Sequence, residues 1–425
     1  MAHGSPFTPR PGVAPRAPLG REAERALARA FASDVAHAQV ETNGLLFSGS
    51  RGMGKSTLLL QVAEELRSRG WRVAEVKVGA GQPVNEALQS SLDSERMRGG
   101  ARVLDRLRSL SRSVRGGSLS VGVGGPSASV NIERPTGGPQ IAKLLTDAGE
   151  QARRSGQPAM VVIDNLQRWS PSQLEQLCDG LNECSRAGHP VGVVTAGSGA
   201  AEAALTTADR GQVFDVGRID VLTPPEANAV VRHTASLAGV TFSQDALNTV
   251  VQFSQGHPLR LQLAAFEAWR AAPNGTREIT NHSALAGVER ARHKLDRQIH
   301  GPAWNRLQST EQAIAQTLAA GPPIQDRASV EARLPPSSRS ANVDAAFYSL
   351  IRKDVIKEIR KGGLAFTDPG TSEWILRFRP PAGSANHVLQ ASPSPRQIGS
   401  TKPAIAPQAS RPGRGPSPNS PTHER

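Results

Sequence analysis

Leu45-Leu46-Phe47-Ser48-Gly49-Ser50-Arg51-Gly52-Met53-Gly54-Lys55-Ser56-Thr57 is the stretch that decides how this chain folds. Gly49 to Ser56 satisfies the pattern GxxxxGK[ST] at every fixed position, directly after the apolar run Leu45-Leu46-Phe47. Glycines let a backbone turn its N–H groups inward without a Cβ clash, and a helix N-terminus just beyond adds positive potential. The stretch therefore predicts a cradle for the phosphates of ATP or GTP, built by Gly49, Ser50, Arg51, Gly52, Met53 and Gly54. Lys55 would reach the β and γ phosphates, Ser56 would ligate Mg²⁺, and Thr57 would stand in the first helical turn near the phosphates. Leu58, Leu59, Val62, Ala63 and Leu66 recur at helical spacing before Gly70 stops the run.

Working outward, strand-like segments recur at Gly44 to Ser48, Arg72 to Val78, Ala159 to Ile163, Val191 to Thr195 and about Val213 to Val221, with helical stretches between them. Such alternation argues for a mostly parallel sheet covered by helices. Ala159-Met160-Val161-Val162-Ile163 has the unbroken hydrophobicity of a strand buried on both faces, and it ends in Asp164, 109 residues after Lys55. An acid at that strand end can meet a Mg²⁺ held by Ser56. Asn165 follows; an amide can position a water but cannot accept its proton.

With 425 residues, the chain has room for two or three domains. Its net charge of +13 is uneven: Arg10 and Arg16 give +2 in the first 20 residues, residues 96–115 give +6 through seven arginines against Asp105, and residues 381–425 give +4. The remainder is close to neutral, so the basicity sits in tails and one arm, which suits transient contact with an acidic polymer. Cys178 and Cys184 match neither a redox pair nor a zinc framework. No run approaches the ~20 apolar residues needed to span a bilayer, and the first 20 residues lack the apolar core of a signal peptide. A soluble cytoplasmic protein without membrane contact is expected.

Residues 1–17 and 380–425 are expected to be disordered, being rich in Pro, Ser and Gly and poor in apolar surface. Residues 96–134 read as an insertion: an arginine-rich helical face, then an alternating hairpin around glycines. Residues 224–298 look helical, with Pro224-Pro225 opening one helix, Ser243 capping another and Gly256-His257-Pro258 punctuating before Leu261 to Ala271. Helices are then predicted over 309–320, Ala328 to Leu334 and Ala341 to Asp354, followed by a hairpin of Val355 to Ile359 and Leu364 to Phe366 around Lys361-Gly362-Gly363. Three helices and a terminal hairpin are the layout of a winged helix.

Taken together, residues 18–378 resemble AAA+ ATPases of the initiator clade, the origin-recognition-like proteins, and their relatives among bacterial STAND-type signalling ATPases. The resemblance rests on Gly20-Arg21-Glu22, Gly49 to Thr57, Val161 to Asn165 and Gly256-His257-Pro258 followed by Arg260, with weaker support from Val193 to Ser198. It implies an α/β fold: a P-loop NTPase parallel sheet (18–222) with a helical lid (223–298), followed by a winged-helix domain (303–379). It implies ATP and Mg²⁺ as ligands and Gly20 and Arg21 on the adenine side. Asp164 becomes the Walker B acid, Thr195 a sensor 1 hydroxyl, and Arg260 a sensor 2 arginine on the lid. Arg210 and Arg218 are both candidates for an arginine finger in an assembly.

Because Asn165 stands where such motors carry an acid, slow hydrolysis and a switch are expected rather than a motor. Gln167 could help hold the water or cap the next helix. Three uses stay open. The winged helix could bind double-stranded DNA, with Asn342, Ser349, Arg352 and Lys353 outward and Arg360 and Lys361 on the wing. The chain could instead be a signalling ATPase with protein partners or copies of itself, or an ATP-binding regulator that hardly hydrolyses.

Overall fold

Short runs of β-branched and other apolar residues make a five-stranded parallel sheet in the computed structural model: β1 (Gly44–Ser48), β2 (Arg72–Val76), β3 (Ala159–Ile163), β4 (Val191–Gly197) and β5 (Phe214–Arg218). Their order is β2-β3-β4-β1-β5, so β1, which leads into the glycine-rich loop, lies between β4 and β5. The structure describes residues 5–9, 20–37, 42–76, 83–95, 140–208, 213–339, 342–359 and 362–381. The arginine-rich arm and hairpin of 96–134, Arg210, Arg360, Lys361 and the tail from 382 lie outside the described residues.

Side chains alternate along a strand, so one run feeds two cores. Leu45 and Phe47 pack with α1 (Glu22–Ala36) and α2 (Lys55–Ser68) on one face. On the other, Leu46, Val161 and Ile163 pack with the helical residues 84–95 (α3), α4 (Ile141–Ser155), α5 (Pro171–Arg186) and α6 (Gly199–Ala208). Each fully buried Leu, Ile or Phe contributes about 1.5–3 kcal/mol, which is why these strands read as unbroken apolar runs.

A second core is helical: α7 (Pro224–Ser236), α8 (Gln244–Ser254), α9 (Pro258–Ala271) and α10 (Asn281–Leu295). The expected starts are present. Thr223 forms a capping box with Glu226 ahead of Pro224, and the Ser243 hydroxyl accepts from the Ala246 N–H. A two-stranded parallel pair, β6 (Thr241–Phe242) with β7 (Glu278–Ile279), was not foreseen; two residues per strand carry no readable period. Nor was the packing of Phe7, the only aromatic residue of the first 20, which stands edge-on to Phe242 at 6.0 Å with 2% of its surface exposed. Residues 5–9 are thus an ordered strap, correcting the expectation of disorder there.

After a π-helical turn (Asp296–His300) and a short helix, α11 (Gly301–Trp304), a third core gathers α12 (Ser309–Ala319), α13 (Arg327–Ala332), α14 (Val343–Arg352) and α15 (Gly370–Phe378). Strands β8 (Gln325–Asp326), β9 (Ile356–Ile359) and β10 (Gly363–Phe366) form an antiparallel sheet in the order β8-β10-β9. The hairpin β9–β10 stands where it was expected. Helix α14 ends at Arg352 rather than Asp354, because Asp354 turns left-handed at φ 56°.

Candidate nucleotide site

Between β1 and α2 the chain passes through Gly52 and Gly54, at φ 82° and 86°. A Cβ on Gly52 would also meet the His257 ring at 2.6 Å, so glycine is required there twice over. Lys55 opens α2 and folds back, its Nζ donating to the Gly49 and Ser50 carbonyls at 2.7 Å each. Burial lowers the pKa of this ammonium, against the opposing charges of Asp354 and Asp164. Arg51 is exposed, while Ser50 and Met53 are buried beneath the loop. Thr57 lies in the first turn of α2.

The Ser56 hydroxyl donates to Asp164 Oδ2 at 2.6 Å, joining the glycine loop to the end of β3 across 108 residues. Asp164 Oδ1 accepts the Asn165 N–H at 2.8 Å. Asn165 is exposed and left-handed (φ 61°), and its Oδ1 accepts from Gln167 Nε2 at 3.2 Å. The helix that follows is capped by Ser170 with Gln173, not by Gln167. Gly20 and Arg21 sit beside the loop: the Arg21 guanidinium donates to the Met53 carbonyl at 3.1 Å, to the Asp220 carbonyl at 2.7 Å and to Glu24 at 3.0 Å.

Two expected γ-phosphate sensors are engaged elsewhere. Thr195, opposite Ile163 in the sheet register, is fully buried and donates its hydroxyl proton to the Ile163 carbonyl at 2.9 Å. Arg260 is also buried. Its Nη1 donates to Asp368 Oδ1 at 3.1 Å, its Nε and Nη2 to the Phe253 carbonyl at 3.3 and 2.9 Å, and its guanidinium lies 4.6 Å over the Phe253 ring. The alternative of a surface arginine does not hold, and in this arrangement the guanidinium is bonded to Asp368 and Phe253. The reason is helical phase. Leu259 packs over Gly52, and the next residue of α9 points about 100° away.

What touches the loop from the helical core of α7–α10 is Gly256-His257-Pro258-Leu259. Position 256 needs glycine, since its φ is 74° and a Cβ would lie 2.2 Å from the Leu222 carbonyl oxygen. His257 Nε2 is 3.1 Å from the Arg51 carbonyl, and the Leu259 N–H donates to the Gly52 carbonyl at 3.2 Å. A carbonyl only accepts, so Nε2 carries the proton. Burial pushes the His257 pKa down, with the Arg260 charge adding to it against Asp368, which leaves the ring neutral.

Asp368 is the centre of a buried cluster. It receives Arg260 and the Gly370 N–H (2.8 Å), and lies 3.4 Å from His300 Nε2; His300 Nδ1 is 3.1 Å from Asp296, which also receives Arg377 at 2.7 Å. Burial opposes both charges, yet the His300 hydrogen bond and the Arg260 charge hold the Asp368 carboxyl well below its usual range, and the two carboxylates raise the His300 pKa. Sequence reading missed this cluster, since its members are spread from 260 to 377.

From the C-terminal helices, α14 packs against α6, and Asp354 Oδ2 accepts the Arg51 N–H at 3.1 Å. Lys353 and Ser349, expected outward for DNA, instead turn to the buried Glu311: Lys353 Nζ bonds its carboxylate at 2.6 and 2.7 Å, and Ser349 adds a hydrogen bond. They lie four residues apart, hence on one helix face. Arg352 and Asn342 remain exposed. Arg218, a finger candidate, is paired with Glu202 at 2.9 Å on the surface. Among the described residues, no cluster of His, Cys, Asp or Glu could hold a metal by itself, and no helix is long and apolar enough to cross a membrane.

A family model described as an AAA ATPase domain matches residues 17–194. No curated protein matches the sequence. Among solved structures, the chain is similar to the Walker-type ATPase paby2304 of Pyrococcus abyssi (15% identity, 86% of this chain and 98% of that one, TM-score 0.58). It is also similar to the ORC2 protein of Aeropyrum pernix in its ADPNP–ADP complexes (15% identity, 86% and 95% covered, TM-score 0.53). At that identity the likeness establishes the fold, that of a P-loop NTPase.

Proposed function

We propose that this chain binds ATP with Mg²⁺ on the Gly49–Thr57 loop and acts as a nucleotide-driven conformational switch that hydrolyses slowly. The observation that carries the reading is the 2.6 Å bond between Ser56 and Asp164, because a P-loop hydroxyl and a strand-end carboxylate set side by side are the pair that holds the divalent ion. The site suits an anionic group: Lys55 bonds loop carbonyls, and the Arg51 N–H already holds a carboxylate. Mg²⁺ on Ser56 and Asp164 would neutralise phosphate charge, while Lys55 and the loop N–H groups orient the chain of phosphates.

Slow turnover is supported by three placements. Asn165 offers no base, Thr195 is committed to Ile163, and Arg260 to Asp368. We read 18–222 as the ATPase domain, 223–298 as its lid and 303–379 as a winged helix that serves as the output. Contacts of His257 and Asp354 with the same residue, Arg51, support that coupling of lid and output to the loop.

DNA binding is the second reading. It is favoured by the exposed Arg352 and requires the output module to leave α6. Lys55→Ala tests the core of the proposal: nucleotide binding in titration calorimetry is expected to be lost, and unchanged ATP affinity would overturn it. Salt-dependent retention of the ATP-bound protein on duplex DNA, reduced in Arg352→Ala, tests the second.

A further inference from the structure

Asp354 enters the reading above only as a contact on Arg51, and it makes the one described hydrogen bond from the C-terminal helices to the glycine loop. Its backbone closes α14: the Val355 N–H donates to the Leu350 carbonyl and the Asp354 N–H to the Ile351 carbonyl, both at 3.0 Å, with Asp354 left-handed at φ 56°. Glycine is the residue that adopts this conformation without cost, and aspartate is tolerated. The aspartate here sends its carboxylate onto the Arg51 N–H at 3.1 Å. It is also the strongest of the negative charges acting on Lys55, ahead of Asp164. Among the groups around it are Lys55, Arg51 and Lys357.

Loop N–H groups and the loop lysine are the parts of this motif that receive phosphate oxygens, and the lysine serves the β and γ positions. A carboxylate on one of those N–H groups and within reach of the lysine's field imitates a phosphate oxygen. The lysine on which this carboxylate acts serves the β and γ positions, so the end of the phosphate chain, which a triphosphate extends by one anionic group, is the part that it would compete with.

We propose that Asp354 is a specificity determinant of the phosphate site: its carboxylate occupies the terminal-phosphate position, so the loop accepts a nucleoside diphosphate in this arrangement and admits a triphosphate only when the α14–β9 turn withdraws. This inference rests on the nucleotide reading proposed above. It makes the α14–β9 turn the element on which ATP and ADP act differently.

The test is Asp354→Gly, which suits the left-handed backbone and removes the carboxylate, beside Asp354→Asn, which keeps an acceptor without the charge. Dissociation constants of Mg-ATP and Mg-ADP are measured by calorimetry on the full chain, with Lys55→Ala as reference. Wild type should prefer ADP; Asp354→Gly should tighten ATP by about tenfold or more while ADP changes little, with Asp354→Asn between them. If both nucleotides bind and their ratio is the same in wild type and Asp354→Gly, the inference is wrong while the nucleotide reading stands. If neither nucleotide binds wild type, both fall.

Discussion

Arg260→Ala separates a structural clasp from a phosphate sensor. In the folded chain this side chain makes three hydrogen bonds, one to Asp368 and two to the Phe253 carbonyl, and stacks on the Phe253 ring, all out of solvent. Truncating one partner of a buried ion pair costs about 3–5 kcal/mol, because the other charge stays buried. Asp368 keeps the Gly370 N–H at 2.8 Å and His300 at 3.4 Å, so the lower end, about 3 kcal/mol, is expected. For a cooperative unit of 150–250 residues that corresponds to a Tm lower by about 6–12 °C. The assay is differential scanning calorimetry without nucleotide, which also reveals whether the lid and the C-terminal helices melt together. A sensor arginine would give the opposite pattern: an unchanged nucleotide-free melt with a lost response to ATP. That pattern would refute the assignment of Arg260 to the clasp.

Other perturbations test neighbouring parts of the molecule. Asn165→Glu supplies a general base beside Asp164, and steady-state ATP turnover should rise by about 10²-fold; no rise would refute Asn165 as the residue that limits the proposed hydrolysis. The raised pKa of His300, flanked by Asp296 and Asp368 with Arg260 and Arg377 behind them, makes its stabilisation complete below pH 6.5 and lost as pH rises through the higher folded value. His257 acts in the other direction, since its lowered pKa means that stability falls as pH drops below 6.5. Melting curves of His300→Gln and His257→Gln across pH 5–9 should each remove one of these slopes and leave the other. Phe7→Ala should destabilise the helical core of α7–α10 by about 3 kcal/mol in chemical denaturation, and an unchanged midpoint would mean that residues 5–9 do not contribute.

The glycine loop was legible because its chemistry is local. Turn, N–H cradle, lysine and helix start all lie within nine residues, and the flanking apolar runs have the periods of strand and helix. The strand-end acid was legible for a related reason: a parallel sheet brings strand ends to one edge, so Asp164 could be assigned to Ser56 before any contact was known. The capping residues Thr223 and Ser243 were equally clear, since each acts on the turn that follows it. Legibility stopped where a side chain's direction depends on a distant partner. Asn342, Ser349, Arg352 and Lys353 form one polar set in the sequence, but the buried Glu311 holds Ser349 and Lys353 in hydrogen bonds, whereas Arg352 and Asn342 stay exposed.

By itself, then, the sequence determined a glycine-rich loop between strand and helix on a parallel sheet, a helical segment after it and a compact run of helices with a hairpin at the end. These follow from hydrophobic period, turn chemistry and caps, which act over a few residues. Only the tertiary structure decided what the charged side chains do. Arg260 meets a carboxylate 108 residues away and Lys353 one 42 residues away. Which charges come together is fixed by the packing of the three cores, and burial then makes each such pairing obligatory, because an unpaired charge cannot remain in the interior.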